Sequence, residues 1–318
     1  MSLDRRNFLI GLGASLLSPS PRAHATNFPA RPLTLIVPLG PGSSVDVILR
    51  TLAASAEKRL GQPIVIENRP GAGTTLAPGQ MAATAKPDGY TICQLGLPVL
   101  RAPALRKTTF DPSMDFTYII GLVQLVSGLV VRHDAPWLTL GDLINAARRG
   151  TITYGTVGVG SDAHLTMELT ARRQGIQWVH VPFSSGEVTA LLGGHIHAVA
   201  SGSVWAPQVN SGELRLLATF GARRTTYWPS VPTLTDSGVD VVIEGAYGLA
   251  GPRDMDVAVV ATLHDAFKAA MDQPRFAAAI ANFHQETHYL DSTDFRAFAL
   301  GQIEKQRRLV EELGLRLN

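Results

Sequence analysis

The stretch with the clearest chemical capacity is a glycine-rich turn at Pro38–Asp46, with the sequence PLGPGSSVD. It follows a continuous apolar run, Leu33–Val37, of the kind that forms a strand buried on both faces. After the turn, apolar residues recur at helical spacing as far as Leu60, and Ser43 or Ser44 can cap that helix. Such a turn leaves free backbone N–H groups at the positive end of a helix dipole. It could therefore bind an anion, although most turns of this kind bind nothing.

The same unit of strand, turn and helix recurs along the chain. A second buried strand is predicted at Pro63–Glu67, followed by the glycine-rich turn Asn68–Thr75, and a third strand at Tyr90–Leu95. Further on, a strand at Ile152–Val157 leads into the turn at 158–162 and another helix. This alternation predicts an α/β protein with parallel sheets, whose ligands bind at the carboxyl ends of the strands.

The middle and the end of the chain are less regular. Gly121–Arg132 is predicted to be one extended apolar segment, whereas Val257–Leu315 is predicted to form helices with no strand of their own. The turn Ser201–Ser203 follows another predicted strand. Trp205 comes just after it and is kept as a candidate aromatic wall of a cleft, although a core position is the commoner role for tryptophan.

Composition excludes several function classes. The chain has 318 residues, more than the 250–300 or so that one core usually supports, so two lobes are expected. Its formal net charge is +2 and it has no block of basic residues, so a nucleic-acid partner is not expected. The single cysteine, Cys93, cannot form an intramolecular disulfide and is predicted to be buried.

The first 25 residues are typical of an export signal. Arg5-Arg6-Asn7-Phe8-Leu9 resembles the twin-arginine motif, with Asp4 where Ser or Thr is usual. An apolar stretch, Phe8–Leu17, follows and is too short to span a bilayer, and Ala23-His24-Ala25 matches a cleavage site. We therefore predict a soluble periplasmic protein cleaved after Ala25. Removal of residues 1–25 leaves acidic and basic residues in equal number, so any attraction for an anion must come from the site itself.

Three other chemistries fit these residues less well. Gly158, Gly160 and Ala163 fit a dinucleotide-binding pattern, but the acidic residue required about 20 positions later is missing. His195 and His197 lack a third metal ligand nearby in sequence. Ser161, Asp162 and His164 lie on one helical turn, which does not align a nucleophile, a base and an acid. No catalytic residue, metal or cofactor is therefore predicted.

Several short motifs, taken in chain order, resemble those of the periplasmic substrate-binding receptors of tripartite tricarboxylate transporters, often called Bug proteins. The similarity covers nearly the whole chain after residue 25. The motifs lie at Pro29–Asp46, Val65–Gly73, Ala85–Thr91, Gly158–Leu165, Leu191–Ile196, Gly212–Ala218 and Val231–Gly238. The resemblance implies a two-lobed α/β fold of the periplasmic-binding-protein, or Venus-flytrap, type. It also implies a small organic acid held between the lobes by loop backbone and bridging water.

The resemblance further implies which residues bind the ligand. The first turn corresponds to Leu39, Gly40, Gly42, Ser43 and Ser44, with Asp46 after it; the second to Ala72, Gly73 and Thr74; and the turn of the second lobe to Thr156, Val157, Gly160 and Ser161, with His164 after it. Phe183, Ser203 and Trp205 complete the predicted set. We expect one carboxylate to bind the backbone N–H groups of Gly42–Ser44 and the opposite end of the ligand to meet Thr156–Ser161.

Four departures from the family pattern put the identity of the acid in doubt. Gly42-Ser43 replaces a usual Gly-Gly, and Phe183-Ser184-Ser185-Gly186 lacks the lysine of a usual Tyr-Lys-Gly. Gly194-His195-Ile196-His197 replaces Gly-Gln-Val-Asp, and Gly251–Asp256 replaces a Gly-Thr-Pro turn.

The resemblance also implies the organisation and the partners. Lobe one is expected at 26–124 plus 249–318, and lobe two at 125–248. The expected partners are a small carboxylate and the membrane components of a tripartite tricarboxylate transporter, and the protein is expected to be a monomer without enzymatic activity. The alternative is a secreted enzyme or a sensor subunit on the same fold.

Overall fold

The computed structural model describes residues 28–183 and 185–315. The strands are β1 (Leu33–Val37), β2 (Ile64–Asn68), β3 (Thr91–Gly96), β4 (Phe116–Gln124), β5 (Ser127–Arg132), β6 (Thr153–Thr156), β7 (Val179–Pro182), β8 (Ala198–Gly202), β9 (Leu214–Thr219), β10 (Ala246–Pro252) and β11 (Glu286–Leu290). The helices are α1 (Ser44–Leu60), α2 (Leu76–Thr84), α3 (Leu97–Leu105), α4 (Leu140–Arg149), α5 (Asp162–Gln174), α6 (Glu187–Leu192), α7 (Ala206–Ser211), α8 (Val257–Met271), α9 (Pro274–Asn282) and α10 (Ser292–Leu313). Short 3₁₀ turns occupy Ala72–Thr74 and Ser203–Trp205.

These strands form two sheets, each covered by helices. The first sheet has the order β11-β4-β10-β3-β1-β2, and the second has the order β7-β6-β8-β5-β9. We refer to the elements of each sheet as the first and the second lobe. The two-lobed α/β fold is confirmed, but the sheets are mixed and not purely parallel. The strand β10 is antiparallel to β3 and β4, and β5 is antiparallel to β8 and β9.

The chain passes between the lobes at two places that touch each other. The first crossing is the short link between β4 and β5, and the second is the segment between β9 and β10. The backbone N–H of Leu125 donates to the carbonyl oxygen of Gly245 at 2.6 Å, which joins the two crossings. The extended segment predicted at Gly121–Arg132 is therefore two strands that belong to different sheets. The exact limits of the lobes stay a prediction.

The end of the chain returns to the first lobe and contains a strand that the sequence analysis missed. The strand β11 pairs antiparallel with β4 at the edge of the first sheet. It was missed because its residues alternate between half-buried and exposed positions, with His288 and Tyr289 among them, so no apolar run marks it. The prediction that Val257–Leu315 contains helices alone was wrong.

The core explains why β1 is continuously apolar. Leu33, Leu35 and Val37 pack against α1, α8 and α9 on one face of the first sheet. Ile36 points to the other face and joins an apolar cluster that runs into the second lobe as far as Leu165 and Trp178. Both faces of this strand are therefore buried, as its composition predicts. Cys93, on the neighbouring strand β3, is fully buried as well.

No helix in the described residues is both long and apolar enough to cross a lipid bilayer.

Candidate ligand-binding cleft

A cleft of about 250 Å³ lies between the two lobes, where the carboxyl ends of β1, β3, β6 and β8 meet the start of β10. Ligands of α/β sheets bind at such edges. The lining residues come from both lobes and from the two crossings: Leu39, Val45, Thr74, Gln94, Gly96, Leu97, Pro98, Leu125, Ser127, Val157, Ser161, Asp162, Ala163, Ser201, Gly202, Gly245, Ala246 and Tyr247. Of the predicted site residues, this cleft contains Leu39, Thr74, Val157 and Ser161.

The first turn is held in shape by Ser43 and Asp46. Ser43 is the N-cap of α1, and its hydroxyl accepts a hydrogen bond from the backbone N–H of Asp46 at 3.2 Å. The Asp46 carboxylate is buried and accepts hydrogen bonds from Gly42 N at 2.9 Å, Arg50 Nε at 3.0 Å and Asn68 Nδ2 at 2.8 Å. Burial opposes the ionisation of Asp46, but these hydrogen bonds, led by Arg50, outweigh it and hold its pKa below the ordinary value.

These contacts change the predicted role of two residues. The N–H of Gly42 is already bonded to Asp46, so it is not a free donor for a ligand. Asp46 positions the turn and faces its interior instead of the cleft. Among the described residues, the backbone N–H groups of Ser44 and Val45 have no partner. These two belong to the first turn of α1, where such donors are always left over.

Other predicted residues of the first lobe have structural contacts as well. The hydroxyl of Ser44 accepts a hydrogen bond from Gln285 Nε2 at 3.2 Å, which ties α1 to the segment before β11. The second turn has successive residues with positive φ, at Ala72 (48°), Gly73 (60°) and Thr74 (71°), a conformation that costs energy in residues other than glycine. Thr74 lines the cleft, whereas Gly40, Ala72 and Gly73 do not.

The turn of the second lobe repeats the plan of the first. Ser161 is the N-cap of α5, and its hydroxyl accepts from the N–H of His164 at 3.2 Å. The ring Nδ1 of His164 accepts from the N–H of Gly160 at 3.1 Å. Because a backbone N–H donates to Nδ1, the ring proton of His164 lies on Nε2. The free donors at this helix start are the N–H groups of Asp162 and Ala163, both of which line the cleft.

His164 therefore holds the turn and does not line the cleft, contrary to its predicted role. Its side chain is buried, and burial, together with the charge of Arg101, lowers its pKa. His180 lies beside it with ring centroids 4.1 Å apart, and its Nε2 lies 2.7 Å from the Thr156 hydroxyl. Burial and the neighbouring His164 lower the pKa of His180 to about 4. Both rings are neutral near pH 7.

Arg101 is the most important residue that the sequence analysis missed. It lies on α3 and is only 1% exposed. Its guanidinium reaches the second lobe, where Nη1 is 2.7 Å from Asp162 Oδ1 and Nη2 donates to the carbonyl oxygen of Gly160 at 2.9 Å. Nη1 also donates to Gln306 of α10 at 2.7 Å. A lone arginine within the apolar helix sequence LPVLRAPAL was the signal available.

Trp205 does not form a wall of the cleft. It is fully buried, its Nε1 donates to the carbonyl oxygen of Ser201 at 3.1 Å, and its ring packs near that of Trp228. Ser203 lies outside the cleft lining too, and its hydroxyl donates to the carbonyl oxygen of Phe283 at 2.6 Å, across the lobes. Phe183 packs against the apolar cluster around Trp205.

The cleft itself combines an apolar centre with a few polar groups. Sequence reasoning missed Gln94, Asp162, Ser201 and Tyr247, which line it from strand ends and a helix start. Among the residues that line the cleft there is no lysine, arginine or histidine. In the part of the chain that the structure describes, no group of three or more His, Cys, Asp or Glu residues is placed to hold a metal ion. The donors available for an anion are thus backbone N–H groups and neutral side chains.

Comparisons with known proteins agree with this geometry. Residues 48–315 match the model of the family described as "Tripartite tricarboxylate transporter family receptor". The "UPF0065 protein in gbd 5'region" of Cupriavidus necator is 41% identical over 324 residues, covering 98% of this chain and 99% of the relative. The structure "MatC (Rpa3494) from Rhodopseudomonas palustris with bound malate" is 28% identical with a TM-score of 0.77, covering 89% of this chain and 100% of that one. "R. palustris Rpa4515 with adipate" is 26% identical with a TM-score of 0.81, covering 91% of this chain and 99% of that one.

Proposed function

The chain belongs to the tripartite tricarboxylate transporter receptor family, and on that premise we propose that it binds a small organic acid in the cleft and delivers it to the membrane components of a transporter. The resemblance inferred from the sequence motifs is thereby confirmed. The family consists of receptors and not of enzymes, as the sequence analysis expected.

One observation supports a carboxylate as the class of ligand. Two helix N-termini, those of α1 and α5, meet at one cleft and have unpaired N–H groups at Ser44, Val45, Asp162 and Ala163, of which the last three belong to residues that line it. The positive ends of two helix dipoles and their free donors suit a carboxylate. Each such charge-assisted hydrogen bond contributes about 1.5–3 kcal/mol, which is enough to hold an anion without a basic side chain. The malate and adipate bound by the two similar structures support a carboxylate.

The proposed site differs from the set predicted from the sequence. Ser44 and Val45 take the ligand's carboxylate, and Leu39, Thr74, Val157 and Ser161 surround it. The remaining predicted residues with identified contacts support the turns or pack elsewhere, as described above.

Ligand release and calorimetry test the proposal. Protein purified without refolding is denatured, and the released small molecules are identified by mass spectrometry. The protein is then titrated with mono-, di- and tricarboxylates, and each acid is recovered afterwards. We expect at least one carboxylate to bind and to be recovered unchanged. Chemical conversion of the acid would favour the alternative of a secreted enzyme, and failure of every carboxylate to bind would contradict the proposal.

Delivery requires a separate measurement in cells. Deletion of the gene should abolish uptake of the acid identified above, and wild-type protein should restore it. If uptake is unchanged while a transcriptional response to the acid is lost, the protein serves a sensor and not a transporter.

We further propose that the receptor acts in the periplasm as a monomer after cleavage behind Ala25. Residues 1–25 lie outside the described residues, so this rests on their sequence alone. N-terminal sequencing of the periplasmic protein should begin at Thr26, and replacement of Arg5 and Arg6 by lysine should keep the precursor in the cytoplasm. A mature protein that retains Arg5 would contradict the prediction. Light scattering of the mature protein measures its oligomeric state.

A further inference from the structure

The two helix starts at the cleft are not equivalent. At α1, the acidic residue Asp46 turns inward and its carboxylate is fully hydrogen-bonded, so it leaves the cleft free of negative charge. At α5, the acidic residue Asp162 lines the cleft itself. Its Oδ1 forms an ion pair with Arg101 Nη1 at 2.7 Å, and neither carboxylate oxygen accepts a hydrogen bond from the described residues. Arg101 is 1% exposed and lies behind Asp162, where a ligand does not reach it.

A second unsatisfied group stands near this carboxylate. Tyr247 lines the cleft and is 2% exposed, and its hydroxyl has no hydrogen-bond partner among the described residues. Burying a hydroxyl without a hydrogen-bond partner costs free energy, so a ligand group that pairs with this hydroxyl would be favoured. Burial also raises the pKa of Tyr247, so the hydroxyl is a neutral group that can donate or accept.

Asp162 and Tyr247 line the same cleft from two different elements. Asp162 Oδ2 lies 3.5 Å from the position that a Cβ atom on Gly245 would occupy. Gly245 precedes β10 and is two residues from Tyr247, and residues two apart in an extended chain point to the same face. The Asp162 carboxylate and the Tyr247 side chain are therefore on the same side of this segment.

The rest of the cleft determines the length and polarity of the middle part of the ligand. Leu39, Val45, Leu97, Pro98 and Val157 make its centre apolar. Its volume of about 250 Å³ corresponds to roughly eight groups the size of a water molecule, at about 30 Å³ each. A chain of four or five carbons with a polar group at each end fills such a space.

We propose that the cleft selects acids with one carboxylate and, at the far end of a short apolar chain, a neutral hydroxyl or amide group, and that Asp162 and Tyr247 make this selection. The carboxylate lies on the N–H groups of Ser44 and Val45. The neutral group donates to Asp162 Oδ2 and accepts from the Tyr247 hydroxyl. A second carboxylate at that end has no proton to donate to Asp162 Oδ2, so it leaves that oxygen unpaired and is disfavoured. This inference rests on the proposed function and narrows its ligand class.

The test is titration calorimetry with ligands matched in length. The five-carbon set is pentanoate, 5-hydroxypentanoate, glutaramate and glutarate, and the four-carbon set is butyrate, 4-hydroxybutyrate, succinamate and succinate. Wild-type protein should bind the hydroxy acid or the amide at least about tenfold more tightly than the dicarboxylate of the same set, as expected for one hydrogen bond to a charged acceptor.

Two variants and two controls assign the effect to residues. Asp162→Asn should reduce the preference for the hydroxy acid or the amide over the dicarboxylate by about tenfold or more. Tyr247→Phe should lower the affinity for the hydroxy acid relative to the unsubstituted acid by about fivefold, the equivalent of one hydrogen bond. The controls are Asp142→Asn, a first-turn acid of α4, and Tyr118→Phe, a buried tyrosine whose hydroxyl donates to Pro112. Neither control residue lines the cleft, and neither should change the order of ligands.

Each outcome decides one of the two claims. If the dicarboxylate binds most tightly and Asp162→Asn leaves that order unchanged, the inference is wrong and the proposed function stands. If only carboxylates outside both sets bind, the inference is also wrong. If no carboxylate binds at all, both the inference and the proposed function are wrong. Thermal melts show whether each variant is folded. If Asp162→Asn does not fold, the order of affinities of the wild type for the ligands still tests the inference.

Discussion

At the scale of single residues, Asp46 shapes the proposed anion site without lining the cleft. Its carboxylate accepts from Gly42, Arg50 and Asn68, and these bonds fix the turn that leaves the donors of Ser44 and Val45 free. A carboxylate beside a site for another carboxylate would repel it if its own charge were not compensated. Here the compensation comes from Arg50 and from two neutral donors.

Asp46→Asn should destabilise the fold by about 1–3 kcal/mol, because it removes a charged acceptor shared by several hydrogen bonds. Urea unfolding measures the change. Asp294→Asn is the matched control, since Asp294 occupies the corresponding first-turn position of α10 and its side chain is exposed. That control should change stability by less than about 0.5 kcal/mol.

The pH dependence of the same variant follows from the lowered pKa of Asp46. Its stabilising contribution is present above the ordinary carboxyl pKa of about 4 and is lost as the pH falls further. The difference in stability between wild type and Asp46→Asn should therefore narrow below about pH 4. A difference that stays constant down to pH 2.5 would contradict the assignment.

The sequence indicates the two turns of the proposed anion site but not which of their atoms are free. Ser43 and Ser161 were predictable as caps because serine before a helix has a local effect. The roles of Asp46, Arg101 and Tyr247 depend on contacts between residues that are distant in sequence. Arg101, for example, meets Gly160 and Asp162 of the other lobe. No local pattern contains that information.

At the scale of elements, a pair of histidines holds the start of α5 against β6 and β7. His164 accepts from Gly160, and His180 contacts Thr156, so both ends of the second-lobe turn are attached to neutral imidazole rings. Protonation of both rings would place two cations with centroids 4.1 Å apart. Burial lowers both pKa values, assisted by the charge of Arg101 for His164 and by the neighbouring His164 for His180.

The histidine pair predicts a loss of stability in mild acid. A histidine whose pKa falls on folding stabilises the native state fully above its unfolded pKa of about 6.5, and this contribution is lost as the pH falls toward the folded value. For His180 the folded value is about 4. His180→Gln should therefore show a shallower fall in unfolding free energy between pH 7 and pH 4 than the wild type.

His133→Gln serves as the control, because His133 is exposed on the same lobe. Its unfolding free energy should fall with pH as steeply as that of the wild type. Equal slopes in all three proteins would mean that the pair does not titrate in this range.

Most elements around the site were predictable from the sequence, because apolar runs and helix caps act locally. The strand β1 and the helix α4, with its capping box of Thr139 and Asp142, lie where the sequence places them. The strand β11 and the division of Gly121–Arg132 into two strands were not predictable. Both depend on which sheet edge is available, and that is decided by the folded chain as a whole.

At the scale of the whole molecule, contacts between the lobes hold the cleft closed. On one side, Arg101 of the first lobe, which also donates to Gln306, meets Gly160 and Asp162. On the other side the carbonyl oxygen of Gln285 accepts from the Tyr227 hydroxyl at 3.0 Å. A receptor of this architecture opens and closes around its crossings, so these contacts form part of the energy of closure.

Arg101→Met should weaken closure, because it leaves Asp162 without its cation and Gly160 without its donor. We expect a larger radius of gyration by small-angle X-ray scattering in the presence of ligand, and a loss of unfolding free energy of about 3 kcal/mol. Arg307→Met is the control, since Arg307 is exposed and, among the residues that the structure describes, pairs only with Glu304 and Glu311 on its own helix. An exposed pair of that kind contributes at most about 1 kcal/mol. A compact Arg101→Met complex with wild-type affinity would contradict this role.

The central claim is that the ligand's carboxylate lies on the N-terminus of α1. Comparison of Ser43→Asp with Ser43→Asn by titration calorimetry tests it most directly, because aspartate and asparagine cap helices about equally well and differ in charge. With the best-binding carboxylate, Ser43→Asn should bind within a few fold of the wild type, and Ser43→Asp at least about tenfold more weakly, since unit charges 4 Å apart repel by about 4 kcal/mol near a protein surface. Equal affinity in the two variants, both folded, would show that the carboxylate binds elsewhere.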